Sequence, residues 1–249
     1  MIQSEAIKPN RLNISNDSLE LLKWIALVLM TGDHVNKFLL SSSNVVLFSL
    51  GRTVLPIFIF VLAYNMARDG MMLKGGYISS IRRMILFGIL ASPAFMLLDA
   101  HVVLVYEEKE LWWGLNILFT MALLTWCLFS FEKGEKAPRW LWVGWLSFWI
   151  GGLFIEFWWA GLGLGIAIWR YYKSESYSRI IPVLIFSLLF LLVVNQGNSS
   201  FLIAFILIFL VSKSSINFPR MKWFFYFYYP FHLAVIFFIK EFGSQFYVI

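Results

Sequence analysis

Long apolar stretches, separated by short polar connections, follow one another from about residue 20 almost to the end of the chain. A membrane-spanning helix needs about 20 mostly apolar residues, and most of these stretches approach that length. The pattern predicts an all-α, polytopic integral membrane bundle of about nine transmembrane helices. The nine predicted spans are 20–40, 45–67, 79–99, 112–131, 140–156, 158–172, 180–195, 199–212 and 222–242. The shortest are candidates for tilted, broken or re-entrant segments.

The pattern leaves no room for a separate soluble domain. Residues 1–18 are polar and contain neither an apolar signal region nor a small-residue cleavage pattern, so we expect the first span itself to direct insertion. We therefore predict a polar cytoplasmic segment, 1–18, followed by a single transmembrane domain, 19–249.

Basic residues alternate with the predicted spans in a regular way. With the N-terminus inside, the inner connections hold 16 of the 20 Lys and Arg residues, since only Lys37, Arg52, Lys109 and Lys240 lie elsewhere. Cytoplasmic loops of membrane proteins retain an excess of Lys and Arg. The alternation predicts a cytoplasmic N-terminus and an outer C-terminus, and it explains the net charge of +6 without nucleic-acid binding.

Composition agrees with a membrane protein. Hydrophobic residues make up 60% of the chain and charged residues only 14%, which excludes an ordinary soluble domain. The single cysteine, Cys127, lies in an apolar run, so an internal disulfide is excluded and a cysteine metal site is disfavoured.

The first two spans carry polar residues where a span is normally apolar. Asp33, His34 and Asn36 interrupt the outer part of the first span, and Arg52 lies in the second. Ionisable groups inside a membrane segment cost roughly 2.5 to 3.5 kcal/mol each on insertion scales, so they are functional candidates. His34 and Arg52 both lie roughly 9 Å inside the outer boundary. Pro56 cannot bond the carbonyl of Arg52, so we expect a kink beside this arginine.

Other spans add polar residues at similar depth. Asn116 and Thr120 are four residues apart on the fourth span and share a helix face. Glu156 ends the fifth span on the outer side. His232 lies near the middle of the last span, next to Tyr229, which can supply a hydrogen-bonding partner.

Each of these residues also has a purely structural interpretation. Asp33 can pair with Lys37 or Arg52, and Asn116 and Thr120 can hydrogen-bond neighbouring helices together. A structural explanation must, however, treat each residue separately. Their common depth favours one polar pocket in the outer half of the bundle.

Four sequence blocks resemble those of TraX-type proteins. They are LLKWIALVLMTGDHV at 21–35, GRTVLPIFIF at 51–60, NILFT at 116–120 and FYYPFHLAVI at 227–236. The blocks occur in the family's order, and the resemblance extends over residues 19–242. TraX-type proteins are membrane acetylases that modify the N-terminus of F-like conjugative pilin, and they resemble a wider group of transmembrane acyltransferases.

The resemblance implies a transferase of a bacterial inner membrane that is encoded with plasmid conjugation functions. It implies acetyl-CoA as the co-substrate and the pilin subunit in the bilayer as the partner, with no metal and no nucleic acid. From the residues and the resemblance together, we expect catalytic roles for His34, Asp33 and His232. We expect donor binding by Arg52, Asn116, Thr120, Tyr229, Arg82 and Arg83. We expect acceptor binding by Glu156 and Asn36.

Three other functions remain open at the sequence level. A related acyltransferase that modifies a glycan or a lipid headgroup would use the same pocket. A proton-coupled transporter also carries intramembrane Asp, His and Arg. A noncatalytic factor that holds pilin in the membrane would need no reaction chemistry.

Overall fold

The computed structural model of the chain describes residues 11–98, 105–106, 109–110, 114–173, 180–214, 216, 218–221 and 223–243. Residues 1–10 of the predicted N-terminal segment lie outside this part. The described chain is helical apart from a short antiparallel pair, β1 (Val105–Tyr106) and β2 (Lys109–Glu110).

Every predicted span corresponds to a helix or to a pair of consecutive helices, which confirms the fold class. The helices are α1 (Asn16–Phe38), α2 (Val45–Gly51), α3 (Val54–Met66), α4 (Gly76–Leu97), α5 (Ile117–Gly134), α6 (Arg139–Gly151), α7 (Trp158–Lys173), α8 (Ile180–Val194), α9 (Ile203–Ser212) and α10 (Phe224–Gly243). A 3₁₀ turn, Ser199–Leu202, leads into α9.

Three described segments are long and apolar enough to cross a membrane by length and composition. They are Val45–Met66, which joins α2 and α3, Gly76–Leu97 and Ile117–Gly134. Ile180–Val194 and Ser199–Ser212 are also apolar but shorter. These segments, in an otherwise all-helical chain, support a helical membrane bundle.

The second span breaks at the arginine, as predicted from Pro56. The chain leaves α2 at Gly51 and enters α3 at Val54, and the two intervening residues make tight turns instead of α-helical bonds. The N–H of Arg52 donates to the Ser49 carbonyl at 3.2 Å. Proline has no N–H to offer the Arg52 carbonyl, which favours a break here, whereas α4 and α10 continue through Pro93 and Pro230.

Helix α7 lies at the centre of the bundle, packed against α3, α5 and α8. Its residues 160–169 are all buried. Small residues allow the close approach, because a Cβ on Gly165 would fall 2.3 Å from Leu124 and one on Gly163 would fall 2.4 Å from the Ser187 hydroxyl.

Helix α1 packs against α3 and α10, so the first and last spans are neighbours. Just before α1, Ile14 is only 2% exposed and its N–H donates to the Tyr64 hydroxyl at 3.2 Å. Ser15 then caps the helix by accepting from the Ser18 N–H. The described end of the N-terminal segment is thus fixed to the bundle.

Candidate active site

His34 on α1 and His232 on α10 share a hydrogen bond. The distance from His34 Nδ1 to His232 Nε2 is 2.7 Å, and the two ring planes differ by only 5°. His232 is 4% exposed, whereas His34 is partly exposed. The structure therefore brings together two histidines that are 198 positions apart in sequence.

The partners of these rings determine which nitrogen atoms carry protons. His232 Nδ1 lies 2.9 Å from the Tyr228 carbonyl oxygen. A carbonyl only accepts, so His232 Nδ1 carries the proton and its Nε2 is an acceptor when the ring is neutral. His34 Nδ1 must then donate to it. The remaining nitrogen, His34 Nε2, keeps a free lone pair and can accept a proton.

A second contact between the same helices holds this pair. The Thr31 hydroxyl and the Tyr228 hydroxyl are 2.7 Å apart, one turn before the two histidines on each helix. The Tyr228 ring also stacks on the His232 ring at 5.1 Å. Thr31 lies three residues before His34, and Tyr228 lies four residues before His232. Residues at these spacings share one helix face, so both contacts form along the same line between α1 and α10.

Asp33 pairs with Arg52 and not with either imidazole ring. Arg52 Nη2 lies 3.1 Å from both carboxyl oxygens of Asp33, and the guanidinium stacks on the Phe48 ring at 4.5 Å. Both side chains are mostly buried, with 20% and 17% exposure. Within the described part of the chain, Arg52 Nε is buried without a partner. This atom can donate to an additional group.

Glu156 lies near the ion pair formed by Asp33 and Arg52. The N–H of Glu156 donates to the Leu115 carbonyl at 3.0 Å, which fixes the turn between α6 and α7. The next two residues, Phe157 and Trp158, have left-handed φ angles of 63° and 47°. Non-glycine residues in this region are strained, and such strain is often found at functional sites. The Glu156 carboxyl is within electrostatic reach of Asp33 and Arg52.

Three other predicted site residues use their polar groups locally. The Asn36 amide makes two 2.9 Å bonds with the Asn44 backbone. Asn116 caps α5 by accepting from the Leu118 N–H, and it donates to the Gly88 carbonyl on α4. These bonds fit the structural interpretation.

Thr120 is likewise engaged in packing. Its hydroxyl donates to the Glu156 carbonyl at 2.9 Å, and the residue is fully buried. Thr120 therefore supports the turn that carries Glu156.

A cavity of about 390 Å³ runs from the predicted cytoplasmic end of the bundle toward this site. Polar residues line its inner end, and apolar residues, including Met30 and Ile117, line its deep end together with Tyr229. Tyr229 is 4% exposed and its ring lies 5.5 Å from the His232 ring. Tyr229 thus stands between the cavity and the histidine pair.

Two of the residues expected to bind the donor, Arg82 and Arg83, differ in position. Arg83 lines the cavity, whereas its neighbour Arg82 is exposed and does not. Sequence reasoning missed Arg68, Arg220 and Glu20, which also line it. The sequence accounts for Arg68 and Arg220 by membrane orientation, and no periodicity in it marks these two arginines or Glu20 as cavity residues.

No group of three or more His, Cys, Asp or Glu side chains arranged for a metal ion occurs among the described residues. His34 is held in one tautomer, so its Nε2 can accept a proton, and the Arg52 guanidinium is within electrostatic reach. A group of this kind can act as a general base toward a nucleophile and return the proton to a leaving group.

The fold and this site define a helical membrane protein with an intramembrane histidine pair. The profile of the family described as TraX protein matches residues 18–240, nearly the whole chain. The chain belongs to the TraX family. No curated protein and no solved structure matches the chain.

Proposed function

We propose that this protein transfers an acetyl group from acetyl-CoA to the N-terminal amine of a conjugative pilin in the bacterial inner membrane. The observation that carries the proposal is the His34–His232 hydrogen bond, which leaves a free lone pair on His34 Nε2. Membership of the TraX family supports the choice of pilin as the acceptor.

His34 acts as the general base. An α-amino group has a pKa of about 7.7 to 8.0, so much of it is protonated near neutral pH and must first release one proton to water to become a neutral amine. As the neutral amine nitrogen bonds to the thioester carbon, it gives a second proton to His34 Nε2. The C–S bond then breaks, and the proton moves from His34 to the departing thiolate. The products are the N-acetyl amide and CoA.

The hydrogen-bonded partner keeps His34 in one tautomer and one orientation. When His34 becomes an imidazolium, its Nδ1–H still donates to His232 Nε2, and the Tyr228 carbonyl keeps His232 in the accepting tautomer. A hydrogen bond to the charged form of a group stabilises that form. His232 therefore has a positioning role and does not touch the substrate.

Charged groups beside the histidines serve the two substrates. Arg52 is within electrostatic reach of His34, and its unpaired Nε can donate to the oxyanion that forms on the thioester carbonyl. Asp33 holds the guanidinium in place. The Glu156 carboxylate attracts the ammonium group of the acceptor before it is deprotonated.

The test is acetylation of purified pilin by membranes that contain the protein and isotope-labelled acetyl-CoA, followed by mass spectrometry of the pilin N-terminus. We expect His34→Ala to lower the rate by about 10² to 10⁴-fold. Val28→Ala, on the lipid-exposed side of α1, is the control and should act as wild type. Normal acetylation by His34→Ala would exclude the proposed base.

A second arm of the experiment tests the route of transfer. In single-turnover reactions without pilin, direct transfer leaves no label on the protein, whereas an acetyl-histidine intermediate leaves label that His34→Ala removes. Transfer of label to a glycan or a lipid instead of pilin would identify a different acceptor. Solute flux into liposomes that contain the protein, measured without CoA, would show that the protein is a transporter and not the proposed enzyme.

A further inference from the structure

The inner end of the cavity is surrounded by polar side chains from four parts of the chain. We call this group the collar. The collar consists of Asn16, Glu20, Lys23, Arg68, Arg83 and Arg220. Four of these six side chains are cationic and one is a carboxylate, so the collar carries a formal charge of +3. A concentration of positive charge at the mouth of a cavity attracts anionic ligands.

Internal pairs do not use all of the collar's hydrogen-bonding groups. Lys23 bonds one oxygen of Glu20, Arg68 Nη2 donates to Asn16 at 2.7 Å, and Arg83 Nη2 donates to Ser80 at 3.2 Å. Glu20 Oε2 and Arg83 Nε, however, are buried and have no partner among the described residues.

Such unpaired atoms are informative because leaving a buried charged group unsatisfied is costly. One unpaired atom accepts and the other donates, and both belong to residues that line the same cavity. The Arg83 guanidinium also packs over the Tyr226 ring, 5.6 Å from the ring centre, and this contact helps to fix its position. The collar is therefore suited to a ligand that has an anionic group and an N–H or O–H donor.

The distance from the collar to the histidine pair restricts the shape of this ligand. Glu20 precedes His34 by 14 positions on α1, which corresponds to roughly 21 Å along the helix. A pantetheine arm is comparable in length to an extended peptide of about four residues, or roughly 14 Å. Reacting groups in contact add about 3 Å. A thioester at His34 would thus place the phosphorylated end of its arm close to the collar.

We propose that the collar binds the nucleotide of CoA. Arg83, Arg68 and Arg220 contact the phosphates, and Glu20 Oε2 accepts a hydrogen bond from an N–H or O–H of the nucleoside. This assignment rests on the proposed acetyl transfer from acetyl-CoA. It specifies where the nucleotide of the donor binds and why the protein prefers CoA to other phosphopantetheine carriers.

Glu20 gives the collar its selectivity. A phosphopantetheine arm occurs both on CoA and on acyl carrier proteins, and both carry a phosphate for Arg83. Only CoA also has a nucleoside. A buried carboxylate repels phosphate unless it gains a donor in return, so Glu20 favours CoA over a phosphopantetheine arm alone.

The experiment measures binding of CoA and its fragments to the full-length protein in detergent by calorimetry. The fragments are 3′,5′-ADP, phosphopantetheine and pantetheine. We expect Arg83→Gln to weaken CoA and phosphopantetheine by about tenfold and to leave pantetheine unchanged. We expect Glu20→Gln to weaken CoA and 3′,5′-ADP by about tenfold and not to weaken phosphopantetheine, which gains nothing from the carboxylate.

Matched controls remove one charge each at residues that do not line the cavity. Asp17→Asn on α1 and Arg139→Gln on α6 should both bind CoA as wild type does. Equal losses for every fragment, or wild-type CoA binding by both collar variants, would overturn the assignment.

The collar and the proposed reaction can fail separately. If pilin is acetylated while both collar variants keep wild-type affinity for CoA, the collar assignment is wrong and the reaction stands. If the fragment pattern is found but no acceptor is acetylated, the collar binds CoA and the proposed reaction is wrong. His34→Ala should bind CoA normally.

Discussion

Gly51 lies directly against the carboxyl group of Asp33. A Cβ atom built on Gly51 would fall 2.3 Å from Asp33 Cγ, closer than any real non-bonded contact allows. The ion pair between Asp33 and Arg52 therefore needs a residue without a side chain immediately before the arginine.

We predict that Gly51→Ala displaces Asp33 and lowers acetyl transfer by about tenfold or more. Overpacking of this kind typically costs about 1 to 3 kcal/mol. Gly161→Ala is the matched control, since its Cβ would meet the nearest atom, Thr120 Cγ2, at an ordinary 3.5 Å. The rate is measured on membranes and divided by the amount of folded protein. A lower rate per folded molecule then reports displacement of Asp33 and not a loss of protein. Equal rates for both variants would contradict the prediction.

The hydrogen bond from His34 Nδ1 to His232 Nε2 predicts different effects for two changes at His232. Glutamine can present an oxygen near the position of His232 Nε2 and accept the His34 Nδ1–H, whereas alanine cannot. We expect His232→Ala to lower the rate by about 100-fold and His232→Gln to retain clearly more activity. The same mass-spectrometric assay measures both. Equal loss of activity in the two variants would show that the rate does not depend on an atom at position 232 that accepts the His34 Nδ1–H.

Asp33 and Arg52 should show energetic coupling. Removing one partner leaves the other charge mostly buried and uncompensated, so Asp33→Asn alone should lower the free energy of unfolding by roughly 1 to 3 kcal/mol. The double variant with Arg52→Gln should lose less than the sum of the two single variants. Unfolding titrations in detergent provide the three values. Strict additivity would mean that the pair contributes nothing.

Asn116 should affect stability more than donor binding. Asn116→Ala removes the cap of α5 and one of the two side-chain donors to the Gly88 carbonyl, the other being the Ser92 hydroxyl, so we expect a loss of roughly 1 to 2 kcal/mol. The KM for acetyl-CoA should stay within about twofold of wild type if Asn116 only holds α4 and α5 together. A large rise in KM without loss of stability would instead support the sequence-based expectation of donor binding.

The orientation of the bundle can be tested with the chain's single cysteine removed. Cys127 is fully buried, so Cys127→Ala gives a background without reactive thiols. Lys37→Cys should then react with an impermeant reagent added from outside. Lys213→Cys should react only after the membrane is opened. The reverse pattern would contradict the cytoplasmic N-terminus predicted from the basic residues.

Much of this architecture is readable from the sequence because the bilayer restricts it. Apolar length predicts the spans, and Pro56 predicts the break at Arg52, since both follow from backbone hydrogen bonding. Common depth also indicates that residues from distant spans meet. His34 and Arg52 could be placed at one level by counting helical rise alone.

The partners of individual side chains were not readable in this way. Depth does not reveal helix rotation, so nothing in the sequence shows that Asn36 bonds the Asn44 backbone or that Thr120 bonds the Glu156 carbonyl. The roles of Arg68 and Arg220 were hidden for another reason. Inner-side basic residues are expected in any membrane protein, and only the cavity distinguishes those that face a ligand.

The hydrogen bond between His34 and His232 joins α1 to α10, the first and last of the described helices. A ribosome therefore synthesises the whole segment between these helices before His232 can reach His34. Any shortened product that stops before α10 lacks the histidine pair altogether, so incomplete synthesis yields a protein in which the His34 ring has lost this partner.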